Sequence, residues 1–494
     1  MAVGSTSNLH TVDVTIVGGG PTGLFTGYLL HHLGVSVCII DGKPQSLDLG
    51  RADALNARTQ QYFEVAKILD DLLPLGIKCN TSSTFGDGEF KTRQDTWWVG
   101  LEHTLHKNFL MIGQPVVERI LSERLEGLVR YGEQVVSISE HDEGVEVVTE
   151  SGFKVLSRYA VGADGARSTV RKSMGVTFTG TKPEMLWAVL DTFIDTDFPV
   201  CPEIITFQLH GQSRVSWIPR ERGLCRFYVL LEGEVTQERA EASIKEHLAP
   251  YRVDFTKTEW YSTFDVKERI ASSFVSKNGS GRVILAGDAA HVHSVNGGQG
   301  LNTGISDAFN LAWRLAAANQ GNLKDGAAET LIRSYDTERR TTAQGSLTLR
   351  LRMGVSYRGM GSPLVKESEH RFWNAGDRCP DVVLQTSSNE ATRLYHETTY
   401  GKFLVLSIGR RADVPLGHED VAVVHSILPL NHSDKCSSPS GHEATRNGTR
   451  ETTFMADWVT EEDPYTVVVR PDMYLGYVGK DIEGCKAYLD SLYI

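Results

Sequence analysis

A glycine-rich segment directly after a short apolar stretch constrains the fold of this chain more than any other feature. Residues 12–17 are largely apolar and β-branched, which predicts a buried parallel strand. The next six residues read GGGPTG and match the pattern GxGxxG. Residues 24–33 then predict a helix, and residues 35–40 predict a second strand that ends at Asp41. Together these segments predict a βαβ unit in a parallel sheet.

The glycine spacing predicts a site for the phosphates of a dinucleotide. Gly18 permits a tight turn, Gly20 lets a pyrophosphate approach the backbone, and Gly23 lets the helix pack closely on the strand. Asp41 stands where a carboxylate can bind ribose hydroxyls. The pattern does not distinguish FAD from NAD. The candidate cofactor-binding residues of this segment are Gly18, Gly20, Pro21, Thr22, Gly23 and Asp41.

The composition excludes several other classes of protein. The 494 residues are 40% hydrophobic and 23% charged, which predicts two to four globular domains of about 150 residues each. A net charge of −12 argues against a nucleic-acid partner. The seven cysteines form no CxxC pair, so neither a zinc site nor a dithiol redox site is expected. The chain has neither an apolar run of about 18 residues nor a secretion-signal pattern, so we expect a soluble cytoplasmic protein without a membrane span.

Two later segments place a carboxylate at the end of a predicted strand, next to glycine. Residues 282–286 lead into Gly287 and Asp288, and a glycine-rich loop at 297–304 then opens a helix. A carboxylate and a loop of this kind can hold a ribityl chain and a further phosphate contact. Residues 160–163 lead into Asp164 and Gly165 in the same way. The loop adds the candidate residues Gly298, Gln299, Gly300, Leu301 and Asn302.

In this order, the three segments resemble the single-component FAD-dependent aromatic hydroxylases of the phenol 2-monooxygenase type. The resemblance covers nearly the whole chain, and the sequences GADGARS and AGDAAH…GGQGLN are its most specific part. It implies an α/β fold with three parts: an FAD-binding Rossmann-like domain of the glutathione-reductase type, an inserted β-sheet substrate domain and a C-terminal thioredoxin-like domain lacking CxxC. The expected ranges are 1–360 for the FAD-binding domain (about 1–80, 107–185 and 280–360), about 81–106 and 186–279 for the interleaved substrate domain, and 375–494 for the C-terminal domain. A polar stretch with two prolines at 362–381 predicts a linker.

The resemblance also implies roles for individual residues. Gly287 and Asp288 are expected to bind the ribose and ribityl part of FAD, and Asp164 and Gly165 to serve both FAD and NADPH. Gln114 matches a glutamine on the flavin side, and Arg51 is assigned to the cofactor site. NADPH or NADH is implied as a transient reductant and O2 as co-substrate, and no second GxGxxG follows a strand elsewhere in the chain.

Three residues match the family's positions beside the aromatic ring: Asp53, Arg220 and Tyr228. From the sequence alone they are a turn residue, a solvated charge and a core aromatic, and their joint match favours the catalytic interpretation. The implied reaction hydroxylates a small phenolic substrate through a C4a-hydroperoxyflavin, with Asp53 as the base, Tyr228 as its hydrogen-bonded relay and Arg220 stabilising the phenolate. A base raises the reactivity of the ring because a neutral phenol is a poor nucleophile.

Several alternatives stay open at this point. The same scaffold can carry a flavin epoxidase or another ring-modifying oxygenase of a natural-product pathway, or a flavin-binding protein without turnover. A flavin halogenase is disfavoured because its second spaced tryptophan is missing near Trp217. Val295 stands where the family usually has a proline, which removes local rigidity near the flavin. The substrate and a homodimeric state are left undetermined, and the aromatics Trp97, Trp98, Trp187 and Phe207 are core residues by default.

Overall fold

The structure is a computed structural model and describes residues 9–96, 104–181, 186–199, 203–265, 267–293, 298–348, 354–412, 416–430, 444–446 and 449–494. Three large sheets organise these residues. The predicted βαβ opening is present, and each of its elements differs from the prediction by a few residues at its ends. The first strand is Leu9–Val17, the helix is Pro21–His32 and the second strand is Val37–Asp41.

The first sheet has seven strands and a mostly parallel centre. Strand Leu9–Val17 pairs in parallel with Val37–Asp41 on one side and with Lys154–Gly162 on the other. Lys154–Gly162 is one continuous strand and is longer than the strand predicted from residues 160–163. On its other side, the first half of this strand pairs antiparallel with Val145–Thr149, and its last residues pair in parallel with Val283–Leu285. The outer strands are Val129–Tyr131 and Val135–Glu140.

The long helix Gln299–Gln320 packs against helix Pro21–His32 and is buried along most of its length. Parallel strands buried by helices bring their carboxyl ends to one edge of the sheet, where ligands bind in such folds. The strand ends at Val17, Asp41, Gly162 and Leu285 are therefore neighbours, and the predicted cofactor residues follow directly on each of them. The sheet topology thus brings together segments that are up to about 270 residues apart in sequence.

The second sheet consists of seven strands that pack around their own apolar cluster. It joins two separate stretches of the chain, because Ser82–Gly86 pairs in parallel with Ile204–Leu209. Two of its strands, Gln212–Pro219 and Cys225–Leu230, form an antiparallel hairpin. Phe207 is fully buried in this cluster, as expected of a core aromatic. In order, the strands are Val253–Asp265, Leu186–Thr196, Cys225–Leu230, Gln212–Pro219, Ile204–Leu209, Ser82–Gly86 and Glu89–Gln94.

The third sheet lies in the C-terminal part of the chain. Its central strand Phe403–Ile408 pairs in parallel with Ala422–Pro429 and antiparallel to Tyr465–Val469. Helix Ile482–Asp490 packs on this sheet. The remaining strands are Ala391–Arg393, Val383–Gln385, Ala444–Arg446, Thr449–Ala456 and Leu475–Gly479. Whether this part is thioredoxin-like stays a prediction, as do the domain boundaries.

The prediction of a linker over 362–381 is wrong. Leu364, Trp373, Ala375 and Cys379 in this stretch are at most 1% exposed. Trp373 also donates a hydrogen bond from Nε1 to the hydroxyl of Tyr465, at 2.8 Å. The prediction relied on the charged residues and prolines of this stretch. It did not take into account the few apolar side chains between them, which are buried in the core.

A cluster of four buried ions connects the long helix to the C-terminal part. Arg314 on the long helix pairs with Glu338 (2.6 Å) and with Asp472 (3.0 Å). Arg470 pairs with the same two carboxylates, at 2.7 Å and 2.6 Å. All four side chains are fully buried, and Ser362 donates a further hydrogen bond to Glu338. Each charge thus has two partners of opposite sign, which is the arrangement that burial of ions requires.

The remaining elements are short or cover the sheets. One small sheet consists of Phe178–Thr181, Glu268–Ala271 and His291–Val292. A second consists of Ala54–Leu55, Phe109–Met111 and Ile77–Cys79. In a third, Glu369–His370 pairs with Trp373–Asn374. Among the described residues, no helix combines the length and apolar composition that crossing a membrane would require. The other helices are Ala57–Val65, Leu69–Leu72, Gln114–Glu123, Thr169–Ser173, Gln237–Leu248, Ser276–Gly279, Ala327–Tyr335 and Thr341–Thr348, with 3₁₀ turns at Leu73–Leu75, Glu221–Gly223 and Gly287–Ala289 and a π-helical turn at Asp336–Arg340.

Candidate active site

The turn after the first strand requires glycine at two positions and leaves a third one open. Gly18 has φ +114°, and a Cβ there would lie 2.2 Å from the carbonyl oxygen of Ala163. A Cβ on Gly23 would lie 1.9 Å from the carbonyl oxygen of Gly18. By contrast, a Cβ on Gly20 would meet no atom of the described residues within 4 Å. Gly18 therefore allows close approach to the turn after the neighbouring strand, and Gly23 allows the helix to pack on the first strand, whereas Gly20 leaves room at the helix N-terminus.

Asp41 fixes the same turn from the end of the neighbouring strand. Its Oδ2 accepts a hydrogen bond from the amide of Gly19 at 2.5 Å, and its Oδ1 accepts one from the amide of Lys43 at 2.7 Å. The side chain is 8% exposed. Each carboxylate oxygen can accept more than one hydrogen bond, so these contacts leave capacity for ribose hydroxyls. Asp41 lies at the end of its strand, as predicted, and its binding of a ribose stays a prediction.

The predicted ribityl segment faces an open cleft. The side chain of Asp288 is exposed, although Gly287 and Ala289 on either side of it are buried. Although the side chain is exposed, the protein around it displaces part of the bulk water, and this desolvation raises the pKa of Asp288, while His291 and Arg51 act in the opposite direction. A Cβ on Gly300, at the start of the long helix, would lie 3.8 Å from Oδ1 of Asp288 and close to no other described atom. Asp288, Gly300 and the helix N-terminus therefore border one cleft.

Asp307 holds the Gly287 turn in place, and the sequence analysis missed it. Its Oδ2 accepts a hydrogen bond from the amide of Gly287 at 2.9 Å and lies 2.7 Å from Nε2 of His291. Its Oδ1 accepts a hydrogen bond from Nε of Arg339 at 2.8 Å. Burial raises the pKa of Asp307, but His291 and Arg339 outweigh burial and lower it to about 2. The available signal was a carboxylate close to the start of the predicted helix, among apolar residues, since a buried charge there needs partners.

Asp164 caps the short helix that follows its own strand. Its carboxylate accepts hydrogen bonds from the hydroxyl of Ser168 (2.5 Å) and from the amides of Thr169 (2.6 Å) and Val170 (3.2 Å). Gly165 has φ +77°, and a Cβ on it would meet nothing within 4 Å. In the described residues, therefore, Asp164 shapes the turn and Gly165 keeps its outer side open.

Gln114 and Asn302 tie the segment that carries Asp53 to the rest of the site. Oε1 of Gln114 accepts a hydrogen bond from the amide of Ala52 at 3.3 Å. Oδ1 of Asn302 accepts one from the amide of Asn56 at 2.9 Å, and its Nδ2 donates to the carbonyl oxygen of Ala54 at 3.0 Å. Both side chains were predicted to bind the cofactor, and both are seen to position residues 52–56 between the two helix starts.

Asp53 and Tyr228 lie together, as the sequence analysis predicted. The hydroxyl of Tyr228 is 3.4 Å from Oδ2 of Asp53, and the Asp53 residue is 5% exposed. Burial and the charge of Asp53 raise the pKa of Tyr228, which keeps the phenol protonated and able to donate. Asp53 also pairs with a cation, Arg226, whose Nη1 is 3.4 Å from Oδ2 of Asp53.

Arg226 is itself held by a second buried carboxylate. Its Nε and Nη2 each donate to Asp191 at 2.6 Å, and its Nη1 donates to the carbonyl oxygen of Arg51. Burial lowers the pKa of Arg226, but Asp53 and Asp191 outweigh burial and raise it. Arg226 was not among the catalytic residues predicted from the sequence.

Arg220 lies on the far side of Asp191 from Asp53. Its Nη1 is 3.3 Å from Asp191, and its Nε and Nη2 donate to Glu221 at 3.0 Å and 2.8 Å. Its guanidinium is buried and already has two carboxylate partners. The structure thus places Arg226, and not Arg220, in contact with Asp53, while Arg220 acts on Asp53 only through Asp191 and Arg226.

The residues of this cleft fit a dinucleotide of the FAD type. Gly20, Gly165, Gly298 and Gly300 all face space in which a Cβ would meet no described atom closer than 3.8 Å. Gly20 and Gly298 stand at the N-termini of two helices, where backbone amides favour phosphate. Asp41 and Asp288 supply acceptors for sugar hydroxyls on either side. Together these groups offer amide donors suited to a pyrophosphate and carboxylate acceptors suited to hydroxylated chains.

We expect Gly20→Ala and Gly23→Ala to fail in different ways. Gly20→Ala adds its methyl group in the open space of the cleft, so the protein should fold normally and lose affinity for FAD at least about tenfold. Gly23→Ala forces helix and strand apart and should lower the melting temperature as well. Flavin absorbance per mole of protein and thermal unfolding separate the two effects. Gly345→Ala, at another glycine with open surroundings, is the control, and loss of stability in Gly20→Ala would contradict the assignment.

A family model described as an FAD binding domain matches residues 11–349. The matched residues include the glycine turn, Asp53, the second sheet and the cleft. The chain belongs to this family. Its cofactor is FAD, as predicted, and the resemblance to FAD-dependent aromatic hydroxylases is confirmed by the curated members that the sequence matches.

Two of those relatives show the range of the family. A rifampicin monooxygenase of Streptomyces venezuelae is 33% identical over 340 residues, which are 67% of this chain and 68% of the relative. A phenol 2-monooxygenase of Aspergillus fumigatus is 30% identical over 366 residues, 67% of this chain and 58% of the relative. The match thus spans about three fifths of the length of that relative.

The fold extends beyond the part that the sequence matches cover. A solved structure of the flavin-dependent monooxygenase PieE, in complex with FAD and substrate, has a TM-score of 0.74 at 19% identity and covers 97% of this chain and 98% of its own. The mixed α/β monooxygenase fold is therefore confirmed over nearly the whole chain. The roles of individual site residues stay predictions. Val295, Trp97 and Trp98 lie outside the described residues.

Proposed function

We propose that this chain is an FAD-dependent, NAD(P)H-consuming monooxygenase that hydroxylates a phenolic aromatic ring. One observation carries the proposal: Asp53 is a buried carboxylate in contact with a protonated Tyr228 and a cationic Arg226, on a segment fixed between the starts of two helices that border the FAD cleft. Such a group can accept a proton in a place that excludes water, which is what activation of a phenol requires.

Each residue proposed to hold FAD is suited to one part of the cofactor. The glycine turn at residues 18–23 suits the pyrophosphate, and Asp41 suits the adenosine ribose. Asp288 suits the ribityl hydroxyls, while Gly298 and the first turn of the long helix suit the far end. Bound there and reduced by NADPH or NADH, FAD supplies the activated oxygen from O2. Gln114 and Asn302 act indirectly in this proposal, since they orient the segment that carries Asp53.

Removal of the phenol proton is the step assigned to Asp53. A free phenol has a pKa of about 10, against about 3.9 for an ordinary carboxyl group, so the negative charge on the substrate oxygen must be stabilised. Arg226 is suited to this because its pKa is raised and one of its nitrogens already contacts Asp53. Arg220 contributes indirectly, because it pairs with Asp191, which also pairs with Arg226. Asp191 is thereby held in place and in turn holds the guanidinium of Arg226.

Tyr228 completes the proposed site as a hydrogen-bond donor to Asp53. Because its own pKa is raised, it keeps its proton and stabilises the ionised carboxylate before the substrate is deprotonated. The hydroxyl of Tyr228 can then donate its hydrogen bond to the substrate oxygen instead of to Asp53. This would keep the negative charge solvated by protein groups throughout the step.

The division into three parts belongs to the same proposal. Strands from 82–94 and 186–265 form one sheet, which supports a substrate domain interleaved with the FAD-binding domain. The C-terminal sheet with helix Ile482–Asp490 supports a separate thioredoxin-like part that lacks CxxC and serves packing. Cytoplasmic location and a homodimer stay predictions of the sequence.

A substrate panel tests the function and separates it from its rivals. The flavin-loaded protein is given NADPH or NADH with phenols of graded pKa and with matched anisoles, in which a methyl ether replaces the hydroxyl. We expect hydroxylated product from phenols only, with the ratio of product to oxidised NAD(P)H highest for the best substrate. Product from the anisoles or from an isolated alkene would favour an epoxidase or another ring-modifying oxygenase. Absence of flavin reduction by either nucleotide would show a flavin-binding protein without turnover.

A further inference from the structure

A cavity separate from the FAD cleft lies between helix Ala57–Val65 and the C-terminal part. Its volume is about 180 Å³, and Arg58 and Gln61 line it from the helix while Arg378 and Tyr395 line it from the other side. At about 30 Å³ for each water molecule, it has room for roughly six waters or one small ion with a partial hydration shell. Neither arginine has a role in the function proposed above.

Arg378 presents an unsatisfied donor in this region. Its Nε donates to the hydroxyl of Tyr395 at 3.0 Å, and its Nη1 donates to the carbonyl oxygen of Asp472 at 3.3 Å. Its Nη2 is buried and has no hydrogen-bond partner among the described residues. The guanidinium lies 4.5 Å from the ring centre of Tyr62. A buried guanidinium with an unused donor costs free energy unless a further acceptor binds.

Arg58 faces the same cavity without a carboxylate partner. Its Nη1 donates to Oε1 of Gln61 at 2.7 Å, the one hydrogen bond that its guanidinium makes to the described residues. Burial and then the charge of Arg378 lower the pKa of Arg58, so the two cations are close enough to repel each other. Two guanidinium groups in this position need a shared counter-charge.

The acidic residues of the cavity do not supply that charge. Asp381 pairs with Arg393 and accepts a hydrogen bond from the amide of Tyr395 at 3.0 Å. Asp377 accepts hydrogen bonds from Ser356 at 2.5 Å and from Asn374 at 3.0 Å. Within the described residues, neither carboxylate is within 4 Å of either Arg58 or Arg378.

We propose that this cavity binds a small tetrahedral oxyanion, of the size of phosphate or sulfate, between Arg58 and Arg378. Guanidinium groups are the side chains best shaped for such ions, because their planar forks donate two parallel hydrogen bonds. The ion would connect the helix that follows Asp53 to the C-terminal part. It would therefore stabilise the position of residues 52–56, which Asn302 holds from the other side.

The test titrates the flavin-loaded wild-type protein with inorganic phosphate against sodium chloride at equal ionic strength. We expect phosphate to raise the melting temperature saturably by about 2–5 °C, and chloride to have less than a quarter of that effect. Arg58→Gln should abolish the phosphate response. Arg119→Gln removes an exposed arginine paired with Glu123 and should keep it. Adenosine 2′-monophosphate, a phosphate ester too large for the cavity, should not reproduce the shift.

A second measurement keeps the proposal testable if the variants fold poorly. Crystals of the wild-type protein soaked in selenate should show an anomalous scattering peak between the two guanidinium groups. A missing peak, a phosphate response no larger than that of chloride, or an unchanged response in Arg58→Gln would each overturn the proposal. So would a tyrosinate absorption band at neutral pH that phosphate leaves unchanged. This last outcome matters because nearby arginines outweigh the effect of burial and lower the pKa of Tyr62. An ionised Tyr62 would supply the negative charge from the protein itself, and no bound ion would be needed.

Discussion

Asp53→Asn should lower product formation by about 10²- to 10⁴-fold while FAD remains bound, because the variant keeps the shape of the side chain and loses the base. Reduction of the flavin by NAD(P)H should continue, and most of the oxygen consumed should leave as hydrogen peroxide, since the ring is no longer activated. The fold should persist because Arg226 keeps its two hydrogen bonds to Asp191. Product, oxidised nucleotide and peroxide are measured in the same reaction.

The matched control is Asp48→Asn, which changes an exposed aspartate of the preceding loop whose carboxylate contacts Gln45. Its product yield should equal that of the wild type. A wild-type rate in Asp53→Asn would remove Asp53 from the reaction. A loss of activity with an unchanged ratio of product to nucleotide would instead indicate a defect in flavin reduction or in substrate binding.

Asp307→Asn is expected to have the largest effect on the cofactor site. The variant leaves Arg339 and His291 buried without their carboxylate, and breaking a buried ion pair in this way costs about 3–5 kcal/mol of unfolding free energy. The Gly287 amide also loses its ionised acceptor, so the turn that carries Asp288 should shift and FAD should dissociate. Urea unfolding and flavin retention on gel filtration measure the two losses, and Asp325→Asn, at an exposed aspartate, is the control.

The same residue predicts how stability depends on acidity. The pKa of Asp307 is about 2 in the folded protein, below its ordinary value of 3.8, so its ionised form is favoured by folding. The resulting stabilisation, about 2 kcal/mol, is fully present above about pH 4 and is lost as the pH falls toward 2. In Asp307→Asn this part of the acid dependence should be missing. An identical acid profile in both proteins would show that Asp307 is not the group responsible.

The glycine turn and the strand ends at the cofactor cleft could be predicted from the sequence because they depend on local pattern, whereas the binding roles of their residues stay predictions. Residues 18–23 need glycine at fixed spacing for a turn that the structure contains, and Asp41 and Asp288 each follow a strand of the same sheet edge. The strand ends meet there because parallel strands share a direction, a rule that needs no coordinates. The second sheet as a whole was predicted only through the resemblance, since its strands come from two distant stretches of chain.

The ion-pair partners could not be predicted in the same way. Asp307, Arg226 and Asp191 lie in segments whose spacing gives no sign of which charges will be buried together. Arg220 and Arg226 are six positions apart in neighbouring parts of one hairpin, and only the pairing of strands decides which one reaches Asp53. The linker prediction failed for a related reason, because a few apolar side chains such as Trp373 decide whether a polar segment is buried.

The four-ion cluster of Arg314, Glu338, Arg470 and Asp472 has a consequence for evolution and for engineering. Two of its members come from the flavin-binding part and two from the last quarter of the chain, so a hybrid protein that exchanges the C-terminal part must inherit both halves of one charge pattern. A swap that replaced Arg470 or Asp472 alone would strand a charge in the interior. We therefore expect related proteins to tolerate exchange of the C-terminal part only where both proteins carry matching residues at all four positions of the cluster.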